Sequence, residues 1–135
     1  MERRALQGLI LLVSLIPLVF GALGLALGLD RLVPDPAVDA DNVYRFLSGL
    51  YFTTGVLFVY VVPRLEEHTA LIRILAAGVA LGAVGRILSM VQVGEPRLLF
   101  KIDVGVELII PLIVVLWQAR LVRLAKARDA SPSGA

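Results

Sequence analysis

The 135-residue chain has no cysteine and a single histidine. The first absence excludes disulfides, thiol catalysis and cysteine-ligated metals. The second leaves His68 alone in a charged link, with no second histidine to build a metal site around. No metal and no cofactor is assigned. Charge is also scarce, at 18% of residues, and there is no nucleic-acid-binding signature, so nucleic acid is not an expected partner. Apolar residues are what the chain has in excess: 59% are hydrophobic and mean hydropathy is +0.89. Soluble domains hold about 45–50% apolar residues. The surplus calls for a lipid bilayer as solvent. The net charge of +2 and pI near 9.4 follow from basic residues at the ends of the apolar runs, where anionic lipid favours them.

The length allows one domain, and a spanning helix needs roughly 20 mainly apolar residues. Four runs meet this, over about 5–29, 43–62, 70–93 and 98–119. The expected fold is all-α: an integral membrane four-helix bundle forming a single transmembrane domain over about 1–128, with 129–135 a disordered tail. The apolar run after Met1-Glu-Arg-Arg4 exceeds a signal-peptide core and reads as a retained first helix. Basic residues set the orientation. Arg3, Arg4, Arg64, Arg73, Arg120, Arg123, Lys126 and Arg128 fall on one side, and Arg31 and Arg97 on the other. Positive charge inside places both termini in the cytoplasm and the loop around 30–42 outside.

Several features punctuate the runs. Gly21, Gly24 and Gly28 form a small face suited to close helix approach. Pro17 is expected to kink the first helix, with Ser14 helping to satisfy the freed backbone. The four aspartates between Asp30 and Asp41 lack the alternating spacing of a calcium loop, and Asp41 or Asn42 is the expected cap of the second helix. Tyr44, Ser48, Tyr51 and Gly55 share a polar or small face. Thr69 is the expected cap of the third helix, whose Gly78, Gly82 and Gly85 give a second small face. Trp117 and Gln118 mark the membrane interface.

Charges inside the runs are the candidates for chemistry. At 1.5 Å per residue, Arg86 lies about 12 Å inward from the turn at Gly94, and Glu107 about 15 Å inward from Arg97. Tyr51 reaches a similar depth. Asp103 and Glu107 are one helical turn apart, on one face. A central charge costs about 2.5–3.5 kcal/mol on the insertion scale, so an Arg86–Glu107 ion pair or a polar pocket around both is expected. The candidate ligand-binding residues are Arg45, Tyr51, Arg86, Ser89, Asp103 and Glu107. Glu107 is the best candidate for an acid or base.

Three segments carry a resemblance: Arg45-Phe-Leu-Ser-Gly-Leu-Tyr51, Gly85-Arg-Ile-Leu-Ser89 and Glu107-Leu-Ile-Ile-Pro111. Together they resemble a family of small bacterial four-helix membrane proteins, catalogued as domain of unknown function 4345. The resemblance spans about Val43 to Arg120 and loosely the first helix. It implies a multi-pass protein of the bacterial inner membrane and no particular activity. The small multidrug resistance family has similar length, but carries its essential carboxylate in the first helix, which here is apolar after Gln7.

Three functions remain open. The first is a membrane protein binding or transforming a small lipophilic molecule at the Arg/Glu/Tyr site in the outer half. The second is a structural or accessory subunit, either a homo-oligomer or part of a larger membrane complex. The third, least supported, is an oligomeric small-molecule transporter. Whether the chain is an enzyme is not decided at this level.

Overall fold

A computed structural model describes residues 1–129 of the chain. Among them the fold is all-α, with four long helices: α1 (Glu2–Leu27), α2 (Val38–Val61), α3 (Thr69–Gln92) and α4 (Leu98–Asp129). Short 3-10 turns follow α1 (Leu29–Arg31) and α2 (Val62–Arg64). The segments containing α1, α2 and α3 are long and apolar enough to cross a membrane. Contacts divide the chain into two compact units, residues 7–63 and residues 1–6 together with the chain from 64 onward.

The first unit is the α1–α2 hairpin, and small residues set how closely its helices approach. A methyl group added at Gly21 would lie 2.6 Å from the Phe52 backbone nitrogen, and one at Gly55 would lie 2.8 Å from Leu18 Cγ. One at Gly24 would strike the Ser48 hydroxyl. Of the expected Gly21, Gly24 and Gly28 face, Gly21 and Gly24 pack closely against α2, whereas Gly28 lies past the end of α1 at φ 68°. Ser48 and Gly55, on the expected small and polar stripe of α2, are buried.

Two local expectations are corrected in this unit. α2 begins at Val38 rather than Val43, and its N-cap residue Ala37 makes no side-chain cap bond. Asp39 and Asp41 read as loop because they are charged. They lie instead in the first helical turn, where negative charge complements the helix dipole. In α1 the helix continues through Pro17. Ser14 donates to the Leu11 carbonyl at 2.8 Å, the usual back-bond of a helical serine, and not to the Val13 carbonyl that Pro17 leaves unpaired.

The second unit is the α3–α4 hairpin with the first residues of the chain. Leu6, Leu65, Ile72 and Gln118 are fully buried. Gln118 is an internal clasp: its Nε2 donates to the Leu65 carbonyl at 2.9 Å and to Thr69 Oγ1 at 2.7 Å. Thr69 in turn donates to the Glu66 carbonyl at 3.3 Å, so its hydroxyl is a relay within the link. The residue capping α3 is His68, without a side-chain cap bond. Arg3 donates to Glu66 at 2.9 Å and Arg120 to Glu2 at 3.0 Å. These pairs fasten the N-terminal residues to the link before α3 and to the far part of α4.

α4 runs 32 residues, about 48 Å, and so extends beyond the expected end near 119. The apolar run stops there, but the alanines, leucines, lysine and arginines that follow are strong helix formers. Of the expected tail, Asp129 is helical, and 130–135 lie outside the described residues.

Candidate functional site

The α3–α4 hairpin gathers four of the six candidate residues. Arg86 projects from α3. Asp103 and Glu107 stand one turn apart on α4, with Phe100 one turn earlier on the same stripe. The spacing 100, 103, 107 keeps all three on one helical face. Arg86 Nε lies 3.0 Å from Glu107 Oε2, and Arg86 Nη2 lies 3.5 Å from Asp103 Oδ2. The guanidinium carbon sits 5.9 Å from the Phe100 ring centroid, within cation–π range. Arg86 thus faces two carboxylates of α4, Glu107 the nearer and Asp103 the farther.

The alignment of this pair is incomplete. Glu107 Oε2 is buried and receives no hydrogen bond despite the close guanidinium. The Glu107 side chain is 15% exposed, against 36% for Arg86 and Asp103. Arg86 and Asp103 are thus the open members of the cluster and Glu107 its floor. One arginine against two carboxylates leaves a formal charge of −1. Lys101 does not offset it, because its ammonium pairs with Glu95 in the turn.

Next to Arg86 lies a cleft of about 270 Å³, lined by Arg86, Ser89, Met90, Gly94, Pro96 and Phe100. Ser89 follows Arg86 by one turn. Its hydroxyl differs from the other helical hydroxyls of the chain. Ser14, Ser48, Thr53 and Thr54 all donate back to a carbonyl three or four residues earlier, whereas Ser89 makes no such bond among the described residues.

Arg45 and Tyr51 belong to the α1–α2 unit. Arg45 is engaged there: Nε donates to Asp41 at 2.8 Å, and Nη1 donates to the Leu25 and Ala26 carbonyls at 2.7 and 3.3 Å. Asp41 also accepts from the Leu29 amide at 2.7 Å. Gly28, at φ 68°, makes the bend that aims these groups together. Arg45 is a cap on the end of α1. The site residues that sequence reasoning missed are Phe100, Met90 and Pro96. Phe100 was findable, since it lies three and seven residues before the two carboxylates. Met90 and Pro96 carry no chemical signal.

The arrangement limits the chemistry. Arg86 stays protonated. Among the described residues, the cleft is lined by Arg86, Ser89 and apolar side chains, with Asp103 and Glu107 outside the lining.

The motif residues of both units fall within a stretch matched end to end by one family model. Residues 5–118 match the family described as domain of unknown function (DUF4345). The chain belongs to the DUF4345 family. The match covers α1 to α3 and α4 as far as Gln118, so the cluster, the cleft and the Arg45 cap all lie within the family's span. No curated protein and no solved structure matches the chain.

Proposed function

We propose that this DUF4345 protein is a four-span membrane protein, with both termini in the cytoplasm, that binds a small lipophilic molecule at the outer end of the α3–α4 hairpin. Arg86 and Ser89 contact the ligand; Asp103 and Glu107 hold Arg86 in place. The observation that carries the reading is the meeting of an unbonded serine hydroxyl and a guanidinium edge at a cleft walled by Met90, Pro96 and Phe100. A polar handle with apolar walls is the usual make-up of a small-molecule site. A binding role is favoured because, among the described residues, neither Asp103 nor Glu107 lines the cleft.

Lipid extraction of the purified protein tests this. Wild type carries a co-purifying lipophile, and Ser89→Phe, which fills the cleft and removes its hydroxyl, lowers its yield about tenfold. The variant should unfold at the same temperature as wild type, since Ser89 is exposed. Identical extracts from the two proteins would overturn the proposal.

A second reading has its own observation. Beyond its chain neighbours and its own helix backbone, a methyl group at Gly78, Gly82 or Gly85 would meet no atom of the described residues within 4 Å. That open small-residue face favours an accessory subunit that takes a partner helix there. Gly78→Leu with Gly82→Leu would then shift the particle in detergent to a smaller size, and an unchanged size counts against it.

A further inference from the structure

The charge balance and donor inventory of the cluster say which class of lipophile the cleft takes. We infer that it holds a neutral head group bearing a hydrogen-bond acceptor, a carbonyl oxygen of quinone or ketone type, whose tail remains in the bilayer. The inference rests on the binding reading above and narrows it.

Three observations converge on it. Arg86 brings five N–H donors. Nε and Nη2 face Glu107 and Asp103, and Nη1 makes no ion pair or hydrogen bond among the described residues. The adjacent Ser89 hydroxyl is likewise unspent. The cleft therefore offers donors and calls for an acceptor. The charge decides between acceptors. Arg86 is more than neutralised by Asp103 and Glu107, so a carboxylate or phosphate head would enter a cluster already at −1. A cationic head is disfavoured by the lining: of the three charges in the cluster, Arg86 alone lines the cleft. A neutral carbonyl suffers neither penalty, and the Phe100 ring supplies an apolar surface for a planar group.

The cleft holds about 270 Å³, near the lower end of the roughly 300–1,000 Å³ of small-molecule sites, a size that suits a head group. The cleft sits at the α3–α4 turn, where the ring would lie at the membrane interface.

The test uses the full-length protein, labelled with ¹⁵N in its arginines, in nanodiscs of ether-linked phosphatidylcholine. These lipids contain no ester carbonyl. The Arg86 side-chain resonances, assigned by their loss in Arg86→Lys, are followed while three probes with the same decyl tail are added: a decyl-substituted benzoquinone, decanoate and decylamine. The quinone should shift the Arg86 signals saturably, and Ser89→Phe should weaken that response about tenfold or more. Asp103→Asn removes one negative charge, so it should admit decanoate, which wild type excludes. Ester-linked lipid in place of the ether lipid shows whether the carbonyl can come from the bilayer itself. A shift on that exchange with no quinone response assigns the acceptor to lipid esters, and a quinone response assigns it to a free lipophile. Both keep the neutral-acceptor class. Decanoate or decylamine as the preferred probe in wild type would overturn the class while leaving a binding cleft. No response to any probe or lipid would overturn the binding reading itself.

Discussion

At the scale of single residues, two arginines that read alike in the sequence do different work. Both lie in apolar runs and both belong to the motif segments. Arg86 keeps donors facing a cleft. Arg45 spends its guanidinium on Asp41 and on the last carbonyls of α1. Helix ends leave such carbonyls unpaired, and a cation there is favourable. Arg45→Met should therefore lower stability by about 1–2 kcal/mol, since the bonds are charge-assisted but partly exposed. Chemical unfolding in detergent reads this out. Arg45→Lys should recover part of the loss and leave cleft binding unchanged. A binding loss in Arg45→Lys at full stability would return Arg45 to the ligand site. Depth arithmetic grouped Tyr51 with Arg86 and Glu107 because the rise per residue fixes height in the membrane. It carries no information on which helix faces which. The Arg86–Glu107 pair was legible because one short turn joins their helices, so height and neighbourhood are fixed together. The silent cleft residues Met90 and Pro96 were not legible, since their part is shape.

At the scale of helices, two glycine series of similar spacing have opposite surroundings. A Cβ at Gly21 would press on the backbone of Phe52, which cannot rotate away, while one at Gly78 would enter open space. Gly21→Ala should thus cost about 1–3 kcal/mol through overpacking. Gly78→Ala should be neutral or stabilising by up to about 1 kcal/mol, through helix propensity. Thermal unfolding of both in one detergent makes the comparison; equal effects at the two sites would mean that α1 and α2 do not approach as closely as described. The sequence gives both series the same small-xxx-small spacing because the pattern records that a close approach is permitted, not that a partner is present. Helix boundaries divide along the same line. Apolar runs located all four helices. The ends moved where a charged residue is helical for a local reason: Asp39 and Asp41 in the first turn of α2, and the basic, alanine-rich stretch that carries α4 to Asp129.

For the whole molecule, ion pairs within the second unit turn the charge asymmetry into a topology. Arg3 meets Glu66 and Glu2 meets Arg120. Residues 3 and 66 therefore share one end, and the chain between them, α1 and α2, must cross an even number of times. Residue 120 shares that end too, which gives α3 and α4 the same parity. If α3 spans, α4 spans with it, despite carrying Asp103 and Glu107. In the proposed orientation, the positive-inside rule supplies the sign and predicts residues 2, 66 and 120 on the cytoplasmic side. The absence of cysteine makes this directly measurable, because any thiol label reports only the position chosen. In right-side-out spheroplasts, a membrane-impermeant maleimide should label Asp30→Cys and Glu95→Cys. It should reach Glu67→Cys and Arg128→Cys only after permeabilisation. The reverse pattern would invert the protein and place the cleft at the cytoplasmic face. Labelling of Glu95→Cys and Glu67→Cys from the same side would mean that α3 does not cross. The Arg86 cluster would then lie outside the lipid, and a head group with its tail in the bilayer would have no route to the cleft.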